Sequence, residues 1–136
     1  MHNILSILYV DDDPDDREML STVIYDIDPN INMVYAENGL EALNYLFKLK
    51  NLKNNLPCLI ILDINMPYLD GRETFTKIKN DPALEKVSIV VFTSSENPND
   101  VAFFKGLGAE FYTKPDNSLT LSRIANEMIG YCEKNN

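Results

Sequence analysis

Five carboxylates follow the first apolar segment of the chain almost without interruption. The segment Ile7–Val10 carries no charge, and acids begin directly after it. They are Asp11, Asp12, Asp13, Asp15 and Asp16. Like charges this close repel each other and resist ionising together, so the cluster requires a physical reason. It can mark the solvated start of a helix, or it can form a site for a cation.

The start of a helix accounts for three of these acids. Asp13 precedes Pro14, which is the usual pairing of an N-cap acceptor with a proline at the first helical position. Asp15 and Asp16 then fall in the first turn, where the helix dipole favours negative charge. We therefore assign these three acids to the helix. The two acids before them end the apolar segment and are left as candidates for a cation site.

Polar residues with complementary chemistry follow three later apolar segments. Asp63 ends the segment CLIILD, Thr93 ends VSIVVFT, and Lys114 follows AEFYT. If these segments are parallel strands, their carboxyl ends lie along one edge of a sheet, where ligands bind in open α/β folds. We therefore expect these three residues to lie close to the acids that follow the first segment.

The chemistry open to such a set is phosphoryl transfer. Asp11, Asp12 and Asp63 can hold a hard divalent cation through their oxygens, and the cation would relieve their mutual repulsion. A carboxylate can also act as a nucleophile and form an aspartyl phosphate. Lys114 could neutralise a phosphoryl oxygen, and Thr93 could donate its hydroxyl to one.

Alternating strands and helices are predicted to position these residues. Apolar runs predict five strands, at Asn3–Val10, Ile31–Ala36, Cys58–Asp63, Val87–Thr93 and Ala109–Thr113. Helical spacing predicts five helices, at Pro14–Ile27, around Leu40–Phe47, at Gly71–Asn80, at Pro98–Lys105 and around Leu121–Met128. This alternation indicates an α/β fold, in which a doubly wound, five-stranded parallel sheet is the middle of three layers.

Composition limits the classes of protein and partner. A chain of 136 residues fits one domain, so we expect residues 1–136 to form a single domain. The net charge of -9 argues against a nucleic-acid surface, and no apolar stretch is long enough to span a bilayer. The N-terminus lacks a secretory pattern, so we expect a cytoplasmic protein. Cys58 and Cys132 are far apart in sequence, and we expect two separate buried thiols.

Four segments, in their order and spacing, resemble the receiver domain of two-component response regulators over essentially the whole chain. They are ILYVDDD, LIILDINMPYLDG, VVFTSS and FYTKP. The resemblance implies a flavodoxin-like strand order of 2-1-3-4-5 and phosphorylation of Asp63. It also implies that Asp11 and Asp12 form the acidic pair, and that Asp12, rather than Asp11, is expected to ligate the metal directly. The backbone carbonyl of Asn65 would complete a Mg²⁺ site, which Mn²⁺ could also occupy.

The resemblance also assigns residues to signalling. Thr93 and Lys114 match the switch hydroxyl and the phosphate-binding lysine, and Phe111 matches the switch aromatic. The peptide bond between Lys114 and Pro115 is expected to be cis. Asp116 follows it, at a position where many receivers carry an aromatic residue.

The function that the resemblance implies is that of a stand-alone phosphoprotein without an output domain. A sensor histidine kinase or a histidine phosphotransfer protein would supply the phosphoryl group, and the protein would catalyse only its own phosphorylation and dephosphorylation. The signal would appear on the face made by the fourth helix, the fifth strand and the fifth helix. That face could bind a protein target or pair two copies into a homodimer. The polar loop Lys50–Pro57 resembles that of single-domain regulators that work with phytochrome-like kinases.

Three other functions fit parts of the pattern. A metal-dependent phosphatase of the haloacid dehalogenase type needs two alternate aspartates followed by Thr or Val, but Asp15 stands third, after Asp11 and Asp13. A flavodoxin needs a phosphate loop rich in Ser, Thr or Gly where acids stand here. A receiver could also act only as an interaction module.

Two of the site residues, taken singly, also have an ordinary structural interpretation. Thr93 fits a strand-end hydroxyl, and Lys114 fits a solvated surface charge.

Overall fold

The computed structural model describes residues 4–52 and 55–134. The strands are β1 Ser6–Val10, β2 Asn32–Ala36, β3 Leu59–Leu62, β4 Ser88–Thr93 and β5 Glu110–Thr113. The helices are α1 Pro14–Ile27, α2 Gly39–Leu49, α3 Gly71–Lys79, α4 Pro98–Gly106 and α5 Ser118–Lys134. All ten predicted elements are present. The predicted start of the first strand at Asn3, and residues 53–54 of the predicted loop, lie outside the described residues.

The strands form a parallel sheet in the order β2-β1-β3-β4-β5, which confirms the predicted fold class and strand order. β1 lies between β2 and β3, so Val10 pairs with both Ala36 and Leu62. β4 lies between β3 and β5, and Thr93 pairs with Thr113. Because all five strands point the same way, the residues that follow them lie along one edge.

Alternate strand residues pack into two separate cores, one on each face of the sheet. Leu8 and Ile60 face a core that α2, α3 and α4 cover. Ile7 and Ile61 face the opposite core, which α1 and α5 cover. Successive side chains of a strand point to opposite faces, so a strand covered on both sides must be apolar throughout. This explains the uninterrupted apolar runs in β1 and β3.

Polar side chains start the helices where the sequence predicts. Asp13 is the N-cap of α1, with Pro14 in the first turn, and its side chain accepts hydrogen bonds from the backbone N–H groups of Asp15 and Asp16. Asn97 caps α4, which begins with Pro98, in the same way. These contacts confirm the helix-start interpretation for Asp13. None of the described helices is long and apolar enough to cross a membrane.

The two cysteines form a disulfide, so the prediction of two separate thiols is wrong. Cys58 lies just before β3 and Cys132 lies in the last turns of α5, and their Cα atoms are 4.8 Å apart. They are separated by 74 positions in sequence. Sequence distance could not reveal the pairing, because α5 runs back across the sheet and brings its end beside the start of β3.

Candidate functional site

The register of the sheet brings the predicted site residues to one edge. The backbone N–H of Asp63 donates to the carbonyl of Val10 at 3.0 Å, which places Asp63 beside the end of β1. The backbone N–H of Lys114 donates to the carbonyl of Thr93 at 2.8 Å. Residues that follow β1, β3, β4 and β5 therefore lie together, as the sequence predicts.

Three carboxylates at this edge are close enough to share one cation. Asp11, Asp12 and Asp63 each offer an oxygen, and these oxygens all lie within 4.8 Å of one another. Asp11 is fully buried, Asp63 is almost fully buried, and Asp12 is exposed. Hard cations such as Mg²⁺ prefer oxygen ligands and keep several waters, so a set with one open side fits such an ion. Asn65 is exposed in the loop after β3, and the role of its carbonyl stays a prediction.

Lys114 lies inside a ring of carboxylates. Its Nζ is 2.7 Å from Asp11 Oδ2, 2.7 Å from Asp16 Oδ2 and 3.2 Å from Asp63 Oδ2. An ammonium has three N–H donors, so these acceptors use all of them. Burial lowers the pKa of Lys114, but the hydrogen bonds to Asp11 and Asp16 and the charge of Asp63 outweigh it, and the pKa lies above its usual range. The lysine is a fixed positive charge here, not a solvated surface residue.

Asp11 is held by neighbours that the sequence analysis missed. The Tyr9 hydroxyl donates to Asp11 Oδ2 at 3.1 Å, and the backbone N–H of Asp13 donates to Oδ1 at 2.9 Å. Arg17 donates to the Asp11 carbonyl. Burial raises the pKa of the Asp11 carboxyl, although Lys114 opposes the shift. Strand alternation offered a signal for Tyr9, because it shares a face with Asp11 and a buried tyrosine hydroxyl usually needs a partner.

The assignment of three acids to the helix start needs a correction at Asp16. Asp13 caps the helix and Asp15 is exposed, as the helix interpretation predicts. Asp16 also lies in the first turn, but its carboxylate binds Lys114. The sequence could not show this contact, because it depends on where the loop after β5 crosses the start of α1. The carboxylate of Asp13 is used by the cap, which argues against the phosphatase arrangement that needs it as a catalytic acid.

The two predicted switch residues lie in the strands next to the site, Thr93 at the end of β4 and Phe111 in β5. Thr93 is fully buried, and its Oγ1 accepts a hydrogen bond from the backbone N–H of Ser95 at 3.3 Å. Phe111 is half-buried, with its ring centroid 6.2 Å from that of Phe104 in α4. Phe111 therefore links β5 to α4 by packing, and its role as a switch stays a prediction.

The peptide bond between Lys114 and Pro115 is trans, because the described residues contain no cis peptide bond. The prediction of a cis bond is therefore wrong for this structure. The trans form is the lower-energy state of X–Pro bonds by about 0.5–1 kcal/mol, and Lys114 reaches all three carboxylates with it.

The loop after β3 is packed tightly against Asp63. A Cβ atom on Gly71 would lie 2.5 Å from the Asp63 carbonyl oxygen, which is too close for any other residue without a shift of backbone. The Gly71 N–H donates to the Ile64 carbonyl at 2.8 Å, and Asp70 caps α3. α3 therefore begins at Gly71, as predicted, and Gly71 also sets the position of the backbone that carries Asp63.

Comparisons with known proteins agree with this geometry. The family model of the response regulator receiver domain matches residues 7–125. Response regulator Rcp1 from Synechocystis sp. is 34% identical over 96 residues, which is 70% of this chain and 65% of Rcp1. A protein-glutamate methylesterase/protein-glutamine glutaminase from Geobacillus kaustophilus is 30% identical over 129 residues, which is 93% of this chain and 35% of that protein. The sequence alignments thus cover less than two thirds of the length of these two relatives.

Two solved structures of response regulators superpose on this chain over most of their length. The phosphorylated cyanobacterial phytochrome response regulator RcpA superposes with a TM-score of 0.83 at 28% identity, covering 97% of this chain and 96% of RcpA. The Mn²⁺-bound form of Rcp1 superposes with a TM-score of 0.78 at 30% identity, covering 90% of both chains. The chain belongs to the response regulator receiver domain family, whose members act in two-component signalling.

Proposed function

We propose that this chain is a stand-alone receiver that accepts a phosphoryl group on Asp63. The donor is a phosphohistidine in a sensor histidine kinase or a histidine phosphotransfer protein. The observation that carries the proposal is the convergence of Asp63 with Lys114 and with two further carboxylates, Asp11 and Asp12, at the carboxyl edge of the sheet. In this proposal residues 1–136 form one receiver domain, and the protein works in the cytoplasm.

The chemistry assigned to the chain is one displacement at phosphorus. An Asp63 carboxylate oxygen attacks the phosphorus, the P–N bond to the donor histidine breaks, and its electron pair returns to the imidazole nitrogen. The Ile64 N–H donates to Asp63 Oδ1 at 2.8 Å and orients the carboxylate. Lys114 and Thr93 then donate to the phosphoryl oxygens. Hydrolysis reverses the state when water attacks phosphorus and the bond to Asp63 breaks.

The residues present also fit a divalent cation. Asp11, Asp12, Asp63 and the carbonyl of Asn65 would hold Mg²⁺, or Mn²⁺ in its place. When bound, the ion supplies positive charge that offsets the phosphoryl oxygens. The Mn²⁺-bound form of the related Rcp1 supports this assignment. The cation also explains why three carboxylates are crowded together with a single lysine.

The output is assigned to the face formed by α4, β5 and α5. Movement of Thr93 toward a phosphoryl group would open space beside it, and Phe111 could rotate inward to fill that space. The contact of Phe111 with Phe104 would transmit the change to α4. This face would bind the downstream protein, or a second copy of the chain as a homodimer, and no nucleic acid or membrane takes part. The likeness to RcpA supports a phytochrome-like kinase as the upstream partner.

Phosphorylation by a small donor tests the proposal. We expect phosphoramidate or acetyl phosphate with Mg²⁺ to add one phosphate to the wild-type chain and none to Asp63→Asn, as measured by intact-protein mass spectrometry. Asp15→Asn, which changes the same charge at an exposed position, is the control and should be labelled like wild type. Full labelling of Asp63→Asn at another acid would contradict the assignment of the nucleophile.

The proposed output has its own measurement. Beryllofluoride mimics a phosphoryl group on an aspartate, and NMR shift changes on adding it should reach Phe111, Tyr112 and the residues of α4. This follows because, in the proposed route, Phe111 exchanges between its outward and inward positions, and the mimic favours the inward one. Changes confined to the neighbourhood of Asp63 would contradict the route through Phe111.

A further inference from the structure

Asp16 lies at the start of α1 and contacts Lys114, a residue of the candidate site. It lies in the first turn of α1, and its Oδ2 is 2.7 Å from Lys114 Nζ. The lysine side chain is only 11% exposed, whereas that of Asp16 is 32% exposed. The contact is therefore a partly buried ion pair between the start of α1 and the loop after β5, and it is better shielded from water than an ordinary surface pair.

Asp16 differs from the other two acids that bind the lysine. Asp11 and Asp63 belong to the set of carboxylates that can share a cation, and Asp16 does not. Once a cation binds, the negative charge of Asp11 and Asp63 is shared with it, and both hold the lysine less strongly. Asp63 also loses a free oxygen when it is phosphorylated. Asp16 is then the one carboxylate of the three that keeps its full charge for Lys114.

The position of Asp16 is set by rigid local structure. Asp13 caps the helix through the backbone N–H groups of Asp15 and Asp16, and Pro14 restricts the backbone at the first turn. A carboxylate on such a turn has little freedom to follow the lysine elsewhere. It can therefore hold the ammonium in one place while the lysine changes partners at Asp63.

We propose that Asp16 is a positioning residue, which anchors the Lys114 ammonium beside Asp63 while the metal and the phosphoryl group occupy the site. The inference rests on the proposed function. Asp16 touches neither phosphorus nor metal, and it acts only through Lys114. The loss of its charge should therefore weaken the binding of a phosphoryl group and leave metal affinity nearly unchanged.

The test compares Asp16→Asn with Asp15→Asn in the full chain, with phosphoramidate as donor. Both variants remove one negative charge from the first turn of α1, but only the first removes a contact with the lysine. We expect Asp16→Asn to slow phosphorylation and to weaken beryllofluoride binding by about threefold to tenfold, the scale of one ordinary hydrogen bond, because the Asp16 side chain is 32% exposed. Mg²⁺ affinity should change by less than about twofold, a smaller effect than the loss of one hydrogen bond, because Asp16 is not among the carboxylates that can share the cation. Asp16→Glu, which keeps a carboxylate, should lie closer to wild type.

A Lys114→Ala background separates positioning from a general effect of charge. If Asp16 acts through the lysine, adding Asp16→Asn to Lys114→Ala should leave beryllofluoride affinity unchanged, as in a double-mutant cycle with full coupling. An equal further loss in that background would overturn the inference. So would a faster rate for Asp16→Asn, which would make Asp16 a competitor for the lysine, or a matching loss of Mg²⁺ affinity.

The two levels of proposal fail in different ways. If wild-type protein takes up phosphate and Asp16→Asn behaves like Asp15→Asn in every measurement, only the positioning role is overturned. If wild-type protein takes up no phosphate from any donor with Mg²⁺ present, the proposed function fails and the positioning role fails with it. Urea unfolding of each variant, compared with wild type, shows that a lower rate does not come from unfolded protein.

Discussion

The two edges of the sheet hold their neighbouring elements together by different means. At the carboxyl edge, Asp11 and Asp63 share the ammonium of Lys114, with hydrogen bonds and charge as the link. At the amino edge, Cys58 is bonded covalently to Cys132. Buried charges are costly to desolvate and depend on their partners, whereas a disulfide limits the unfolded chain whatever the charge around it. In the proposed function Lys114 exchanges its contact with Asp63 for one with a phosphoryl group, which requires the first kind of link. The second kind can stabilise the fold at a distance from the site.

Breaking the amino edge should produce the largest change in stability. Reduction of the disulfide should lower the free energy of unfolding by about 2–4 kcal/mol, because the released chain gains conformational freedom when unfolded. Urea unfolding of the oxidised and reduced protein measures the difference. Phosphorylation rates should be the same in both forms, since the disulfide lies at the opposite edge of the sheet from Asp63.

The control for this prediction is the double variant Cys58→Ser with Cys132→Ser. It should unfold like the reduced protein and should not respond to reductant. Two titratable thiols in the oxidised, denatured wild-type protein would contradict the disulfide itself. A phosphorylation rate that falls on reduction would contradict the independence of the two edges.

Adding a cation should stabilise the carboxyl edge by a comparable amount. Mg²⁺ at a hundred times its Kd should raise the free energy of unfolding by about 2.7 kcal/mol, because the ion binds only the folded arrangement of carboxylates. Thermal unfolding with and without Mg²⁺ gives the measurement. Asp12→Ala should remove most of the gain, and Asp15→Ala should keep it. Loss of the gain in Asp15→Ala instead would mean that the acids have been assigned wrongly.

A methyl group at Gly71 tests how tightly the carboxyl edge is packed. Gly71→Ala should destabilise the protein by about 1–3 kcal/mol, because the added Cβ meets backbone atoms of Asp63 and Ile64 that cannot move aside alone. It should also slow phosphorylation of Asp63. Gly130→Ala is the control, since a Cβ there meets nothing within 4 Å and alanine favours the helix. Equal stability of the two variants would show that the loop adjusts freely.

The smallest effect is expected at the ion pair between α3 and α4, beside the carboxyl edge. Arg72 and Ser95 donate to the two oxygens of Asp100, and Asp100→Asn should cost about 1 kcal/mol. Hydrogen bonds from Arg72 and then Ser95 hold the pKa of the Asp100 carboxyl below its ordinary value of 3.8. Its stabilisation is therefore complete above that pH and is lost as the pH falls through the lower pKa of the folded state.

Acid titration of stability checks this sign. Urea unfolding of wild type and Asp100→Asn at neutral pH and at several values below 3.8 should show the two free energies converging as the pH falls. If the difference between the two free energies of unfolding grew in acid, the ionised form of Asp100 would not be the stabilising one. The Arg72 side chain also lies over the Phe103 ring, so Arg72→Lys separates the packing of the guanidinium from its charge.

The local patterns of the chain determined the elements and most of the candidate site. Alternating apolar runs and helical stripes predicted ten elements, since strands buried on both faces must be apolar throughout. Asp13 and Pro14 marked the start of α1 because capping is a contact between near neighbours. The placement of Asp11, Asp63 and Lys114 at one edge followed from strand direction alone, since residues after parallel strands must lie on the same side.

Only the tertiary structure decided the contacts between distant segments. The sequence predicts Asp16 only as an acid in the first turn of a helix, because its contact with Lys114 spans 98 positions. The disulfide from Cys58 to Cys132, 74 positions apart, likewise depends on how α5 packs against the sheet. Sequence periodicity reports which face of an element is buried. The partner on that face depends on distances between elements, which are set when the whole chain packs around the sheet.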